Sequence, residues 1–529
     1  MLNRRGFFRS TAAALIAPLI AARRSRAAIS SPCPYLQNVG RDRATITWTT
    51  EVAGPDVVWF GCGGSPAQRK VSLVRELLPA ETDLGACRYR HTIELAGLEP
   101  NTEYFYGFLP DDGGMTTNEP LSFRTACLGA LSFLAFGDSG SGGAEQQILA
   151  GWMRKESPSL VLHLGDLAYP NGSFQDFQDY YFGPCRDLMR RVPFFPCPGN
   201  HEYMTRDAFP YLALHDLPQV ASAPESDRGR YYSFDWGNVH FVSVDSNAPL
   251  VRAAGGQGPM LDWLENDLRA TRQYWRIVYF HHPPFAGGPN ENDVSCELAR
   301  NYLAPIVERH GVQLVLNGHE HSYQRTYPLT GKQAVPKGNG TVYVTSGGGG
   351  YGLYAAHSHP LVAVRHSVHH YLRVDVSNSR LNVRAIGLSG EEIDGFDLVP
   401  LPEVSDFVEI LPTSDTFPTR ILKIRGRNLA AVPQSAFGTS QLFELSGTSI
   451  IANGEPLPLL KVSTVEVEAQ FTAPLEGQLA LEVTTSNGVV RKQVSVVGNR
   501  RGREHSDPEL RKRQVEYEGL RTLRAVARD

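Results

Sequence analysis

Apolar positions change their spacing along the chain, and the changes mark its regions. From residue 29 to 127 they alternate with polar ones in short segments such as "ATITWTT", "DVVWFGC", "RHTIELAGL" and "TEYFYGF". Gly, Pro and Asp turns separate these segments, a pattern that predicts an antiparallel β-sandwich with Trp48 in its core. From 128 to 400 the strands become unbroken apolar runs, "LSFLAF", "SLVLHL", "WRIVYF" and "VQLVLN". Between them lie segments of helical period: "AEQQILAGWMRKES", with Ile148, Leu149, Trp152 and Met153 on one face, then "MLDWLENDLRAT" and "ELARNYLAPIVERHG". Strand-helix-strand repetition predicts a layered α/β domain, in which ligands collect at the carboxyl ends of the strands. Short strands return from 401 to 497, as in "RILKIRGRNL" and "QLALEVTTSNGVV". Residues 498–529 form a charged segment without apolar periodicity until its end, which reads as flexible or marginally helical.

A length of 529 residues is too great for one core and fits this multidomain division. The net charge of −4 implies no large basic face, so a nucleic-acid partner is not expected. At the N-terminus, "NRRGFFRS" sets Arg4 and Arg5 before the short apolar run "TAAALIAPLIAA". That run is too short to span a bilayer and Pro18 interrupts it. Residues 1–28 resemble a twin-arginine export signal with "SRA" before the cleavage point, which implies the twin-arginine machinery as partner. It also implies a bacterial, periplasmic or secreted protein whose mature chain has no transmembrane span. None of the seven cysteines forms a C-x-x-C pair. In an oxidising compartment Cys62–Cys87 and Cys185–Cys197 are the first bridges to test, with Cys296 left free, and the connectivity stays open.

The chemistry concentrates at five strand ends: "LAFGDSG" (Asp138), "LHLGDLAY" (Asp166, Tyr169), "CPGNHE" (Asn200, His201), "IVYFHHPP" (His281, His282) and "VLNGHEHSY" (His319, His321). A glycine-aspartate after a strand is often only a turn, and a lone histidine is often structural. Five such ends in one α/β domain point to a binuclear metal site. The glycine-rich "GGGGYG" of residues 347–352 lacks the strand-to-helix context of a nucleotide loop and reads as a tight turn near the site. His163, His240, His369 and His370 read as structural.

These five motifs resemble those of the calcineurin-like metallophosphoesterases, and Tyr169, three residues after Asp166, resembles the tyrosine that marks their purple acid phosphatase branch. The resemblance spans the whole central region. "LEPNTEY" before it resembles the tyrosine corner of fibronectin type III domains, also common in that branch, and 401–497 resembles the immunoglobulin-like IPT/TIG class. The implied fold is a fibronectin type III-like β-sandwich, a central αββα metallophosphoesterase sandwich and a C-terminal immunoglobulin-like β-sandwich. The resemblance implies a first metal, Fe(III), held by Asp138, Asp166, Tyr169 and His321. It implies a second, Fe(II), Zn(II) or Mn(II), held by Asp166, Asn200, His281 and His319. Asp166 bridges the two. His201 would contact substrate and protonate the leaving group. His282 either faces substrate or fixes the strand end. The expected activity is hydrolysis of phosphate monoesters by a metal-bound hydroxide. The alternatives are a phosphodiesterase acting on nucleotides or phospholipid head groups, or a surface-binding protein with a vestigial metal site. Plant members carry a further histidine pair after the fourth motif; "PPFAGGPNENDVSC" has none, so that phosphate clamp does not transfer.

Overall fold

A computed structural model describes residues 33–63, 68–108, 121–411, 420–430, 434–436, 442–471 and 478–498. The arginine pair, its apolar run and the C-terminal charged segment lie outside the described residues. Among the described residues no helix is long and apolar enough to cross a membrane.

Two sheets form the central region. One has six strands in the order Phe194–Pro196, Leu160–His163, Leu131–Phe136, His370–Val376, Leu381–Gly387, Glu392–Leu398. The other has seven, in the order Tyr232–Trp236, Val239–Ser243, Trp275–Tyr279, Leu314–Asn317, Val342–Ser346, Tyr323–Thr326, Val362–His366. The apolar runs that lack alternation are the parallel strands: Leu131–Phe136 pairs with Leu160–His163, and Trp275–Tyr279 with Leu314–Asn317. Such strands are covered on both sides, which removes the need for a polar face. One core lies between the sheets, where Phe133 meets Phe241 edge-on at 5.3 Å. A second lies under the helices Pro259–Ala270 and Ala304–Arg309 and includes Leu264, Leu268, Val307 and Val315.

The helix Ala144–Lys155 covers the outer face of the six-stranded sheet, and its Trp152 indole N–H donates to the Leu388 carbonyl at 2.9 Å. Its buried positions are Gln146, Leu149, Ala150 and Met153, while Ile148 is exposed. The expected face is therefore rotated: the helix turns Ile148 outward and fills the contact with the smaller Ala150.

Before this domain stand two four-stranded antiparallel sheets that share one core with it, Trp48 fully buried among them. The Glu99 backbone N–H donates to the Tyr104 hydroxyl at 2.9 Å, and the Tyr106 hydroxyl reaches across to the Arg190 carbonyl at 2.6 Å. After the domain, a nine-stranded sheet encloses its own core of Leu422, Ile424, Leu479, Leu481 and Val483. Cys62, Cys87, Cys185 and Cys197 are thiols, so neither Cys62–Cys87 nor Cys185–Cys197 is bridged, and Cys296 is free as expected. Cys185 and Cys197 are buried within the apolar core.

Candidate metal centre

Because the strands carrying the motifs are parallel, their carboxyl ends open on the same edge of the two sheets. Each chain turns sharply there. Asp138, Asp166 and His319 all take left-handed backbone angles, with φ of 58°, 52° and 69°. The turns aim the side chains back into the cleft between the sheets, and all three are buried.

Two groupings result, and Asp166 belongs to both. In the first, the Tyr169 hydroxyl lies 2.9 Å from Asp166 Oδ2, 3.3 Å from Asp138 Oδ1 and 3.0 Å from His321 Nε2. In the second, Asn200 Oδ1 lies 3.0 Å from His281 Nε2 and 3.1 Å from His319 Nδ1, and His281 Nε2 is 3.3 Å from Asp166 Oδ2. The seven residues that the resemblance names as ligands thus converge on one cleft, where His281 Nε2 also comes within 4.0 Å of Asp138 Oδ1.

Electrostatics favour a cation. Among the described residues neither Asp138 nor Asp166 pairs with a lysine or arginine; their ion-pair partners are histidines. Burial raises the Asp166 carboxyl, but His281 and His201 outweigh it and hold it well below the usual range. Burial lowers His281, yet Asp166 and Asp138 push it up to about 10. Burial, reinforced by Asp166 and Asp138, holds the Tyr169 phenol well above its ordinary value. A metal cation would take over the compensation that protons supply here.

The histidine hydrogen bonds suit metal binding. His281 Nδ1 and His321 Nδ1 face the Leu164 and Gly352 carbonyls at 2.8 and 2.6 Å. A carbonyl can only accept, so both rings carry a proton on Nδ1, which leaves Nε2 facing the cleft as the atom that would bind a cation in place of a proton. His319 does the reverse: Nε2 donates to Asp293 Oδ2 at 2.9 Å, which frees Nδ1. Acceptors behind each ring are the support that metal-binding histidines require.

Three neighbours escaped the motif reading. Glu202, fully buried, accepts four backbone N–H groups: Leu167 at 2.8 Å and Ala168 at 3.2 Å on Oε1, Asp166 at 3.0 Å and Gly199 at 2.7 Å on Oε2. Burial and Asp166 push its pKa up to about 8, while the backbone donors act the other way. Each oxygen already accepts two N–H groups and neither finds an acceptor for a proton, so the backbone cradle favours the anion against burial and Asp166. Asp293 orients His319, and Ser246 meets His282 Nδ1 at 2.8 Å. Glu202 directly follows "GNH" and could have been noticed; Asp293 and Ser246 carry no local signal.

His201 stands at the mouth, its side chain 23% exposed. Nδ1 donates to the Pro170 carbonyl at 2.5 Å, and Nε2 lies 3.9 Å from Asp166 Oδ2. His282 is buried with its ring 4.5 Å from that of His319, and burial, with His319 and His281, holds its pKa well below the ordinary value. Tyr351 stacks on Tyr169 at 3.7 Å and Tyr354 on His321 at 3.9 Å, so the 347–352 turn does border the site. His163 and His370 are buried and bonded to Ser139 and Ser346, and His240 sits between Asp235 and Asp267.

Residues 131–323 match the family model of the calcineurin-like phosphoesterases. An uncharacterized protein of Mycobacterium tuberculosis is 27% identical over 372 residues, covering 59% of this chain and 68% of its own. Human acid phosphatase type 7 is 26% identical over 376 residues, covering 63% of this chain and 82% of its own. Among solved structures, a purple acid phosphatase from yellow lupin seeds shares the fold with a TM-score of 0.61 at 19% identity, covering 70% of this chain and 74% of its own. With the metal-suited cleft at the strand ends, these matches establish that the chain carries a calcineurin-like phosphoesterase domain and resembles the purple acid phosphatases.

Proposed function

We propose that the protein is a binuclear-metal acid phosphatase that hydrolyses phosphate monoesters. The observation that carries this reading is the position of the Tyr169 hydroxyl, within 3.3 Å of Asp138, Asp166 and His321. Asp138, Asp166, Tyr169 and His321 hold Fe(III), since a phenolate with two carboxylates is a hard, anionic donor set. Asp166, Asn200, His281 and His319 hold Fe(II), Zn(II) or Mn(II). When bound, the two ions supply Lewis acidity and an activated water for in-line displacement. The chain's own residues do the rest. Asp166 places one carboxylate between the sites, and Asn200 and the histidines add no negative charge, which keeps the cleft attractive to a phosphate anion. His201, held through Nδ1, offers Nε2 to the departing oxygen and protonates it when the ring is charged.

The surrounding regions take matching assignments. Residues 29–127 are a fibronectin type III-like domain, supported by the Glu99–Tyr104 hydrogen bond, 128–400 the catalytic domain and 401–497 an immunoglobulin-like domain. Residues 1–28 direct export through the twin-arginine route to the periplasm or beyond.

The test is metal analysis and a visible spectrum of the purified protein, followed by rates on nitrophenyl phosphate and its bis-ester. Two metals, a tyrosinate-to-iron band and faster monoester hydrolysis are expected. A colourless, iron-free enzyme that prefers the diester would sink the proposal and favour the phosphodiesterase alternative.

A further inference from the structure

A ring nitrogen of each of His281, His282 and His319 lies within 4.8 Å of the other two. By composition this is a three-histidine metal site. The surroundings of His282 argue otherwise. Its backbone N–H donates to Ser246 Oγ at 3.2 Å, and the same Oγ lies 2.8 Å from its Nδ1. Ser246 is fully buried and makes no other hydrogen bond among the described residues. The hydroxyl proton therefore has one acceptor within reach, Nδ1. Were Nδ1 protonated, a buried O–H would be left without a partner, at a cost of about 1–3 kcal/mol. Nδ1 consequently accepts, and the ring's single proton sits on Nε2, an atom with no hydrogen-bond partner among the described residues.

We infer that Ser246 locks His282 as a neutral Nε2–H imidazole, making His282 a hydrogen-bond donor to a phosphoryl oxygen and not a third histidine ligand of the second cation. A protonated nitrogen has no lone pair for a metal, whereas its N–H suits an anion bound beside His281 and His319. This supplies, from a different position, a contact to phosphate where the plant-type histidine pair is missing. The inference deepens the phosphoesterase reading and rests on it. Ser246 is then a positioning residue and His282 the group that touches substrate.

The test uses the metal-loaded full chain with inorganic phosphate as probe, read by calorimetry and metal analysis. His282→Ala should keep both metals and lose phosphate affinity by about 10- to 100-fold, the range for one hydrogen bond to a charged group. His282→Gln should recover most of that affinity, because its amide N–H reaches the position of Nε2. Ser246→Ala should weaken phosphate binding in the same direction, and Ser246→Thr, which keeps the hydroxyl, should restore it. Should Ser246→Ala not fold, the threonine and glutamine variants still decide. Loss of one metal in His282→Ala would make it a ligand and overturn the inference; unchanged phosphate affinity would make it structural and overturn it equally. A wild type that binds phosphate but cleaves no ester refutes the proposed function while leaving this result readable, and one that binds no phosphate overturns both.

Discussion

Replacing Glu202 by glutamine should destabilise the fold and the metal centre together, although Glu202 is not among the expected metal ligands. Each carboxylate oxygen accepts two backbone N–H groups, from Leu167 and Ala168 on one side and Asp166 and Gly199 on the other. Glutamine keeps one oxygen. Its amide nitrogen must replace the other and point N–H against N–H, so two bonds are lost and two buried donors are stranded. Hydrogen bonds to a charged group contribute about 1.5–3 kcal/mol each, so the expected loss is about 3–6 kcal/mol. That is a large part of the roughly 5–15 kcal/mol that stabilises a typical domain. The damage is also directed, because the donors at Asp166, Leu167 and Ala168 belong to the loop that presents Asp166 and Tyr169. Urea denaturation of wild type and Glu202→Gln, with and without added metal, should show a lower midpoint and a smaller gain from metal, and metal analysis should show incomplete loading. A variant within about 1 kcal/mol of wild type with full metal content would refute this reasoning and reduce the N–H cradle to a detail of packing.

Tyr169→Phe should abolish the visible band while both metals stay bound, whereas Asp166→Asn should weaken both sites at once; spectra and metal analysis separate the two. His201→Ala should retain its metals and lose about 100- to 10,000-fold on alkyl phosphates, but far less on nitrophenyl phosphate, whose leaving group needs no proton. At His240 burial lowers the pKa but Asp235 and Asp267 push it up to about 9, so its ion pairs stabilise fully below the ordinary value near 6.5 and fade as pH rises through 9. The contribution is at most about 3 kcal/mol, and a denaturation series from pH 6 to 10 should show wild type losing stability that His240→Gln does not. Replacing Arg4 and Arg5 by lysine should trap the precursor in the cytoplasm, and unchanged export would refute the signal assignment.

What the sequence showed plainly were features with a local signature. Unbroken apolar runs marked the parallel strands, and the residues closing them marked the site, since every strand tip named in advance does reach the cleft. Errors and omissions arose where the partner lies far along the chain. The outward turn of Ile148 accompanies the bond from Trp152 to Leu388, 236 residues further along, which no window of the sequence contains. Asp293 stands 26 residues before the ring it orients, and Ser246 is 36 residues before His282. Neither residue type is unusual in a loop. Likewise the two open possibilities for His282 could be weighed only once the hydroxyl beside Nδ1 was in place.

The strand ends themselves explain why four of the five motifs set a glycine directly before the functional residue. A hydrophobic strand such as Leu160–His163 must run into the core, yet the carboxylate that follows has to face a polar cleft. The chain meets both demands by turning abruptly, through φ 91° at Gly165 and 52° at Asp166. Asp tolerates the left-handed region better than most residues, but a non-glycine there still costs about 1–2 kcal/mol. Hydrogen bonds offset it: the Asp166 amide goes to Glu202, and the Asp166 carboxylate accepts the His201 N–H at 2.9 Å. The cleft is so narrow that a Cβ at Gly165 would strike the His281 ring, and one at Gly199 would strike the Asp166 carboxylate. Glycine is therefore required by the neighbouring functional side chain as well as by the turn. Asp138 follows the same rule, its two oxygens receiving the His319 N–H at 3.1 and 2.9 Å. That bond ties the carboxylate of the first motif to the backbone of the fifth, so the two sheets are held in register at the site before any metal binds. Metal binding then adds to a frame that is already set, which is why Glu202, a residue that touches only backbone N–H groups, should govern metal content as strongly as a ligand does.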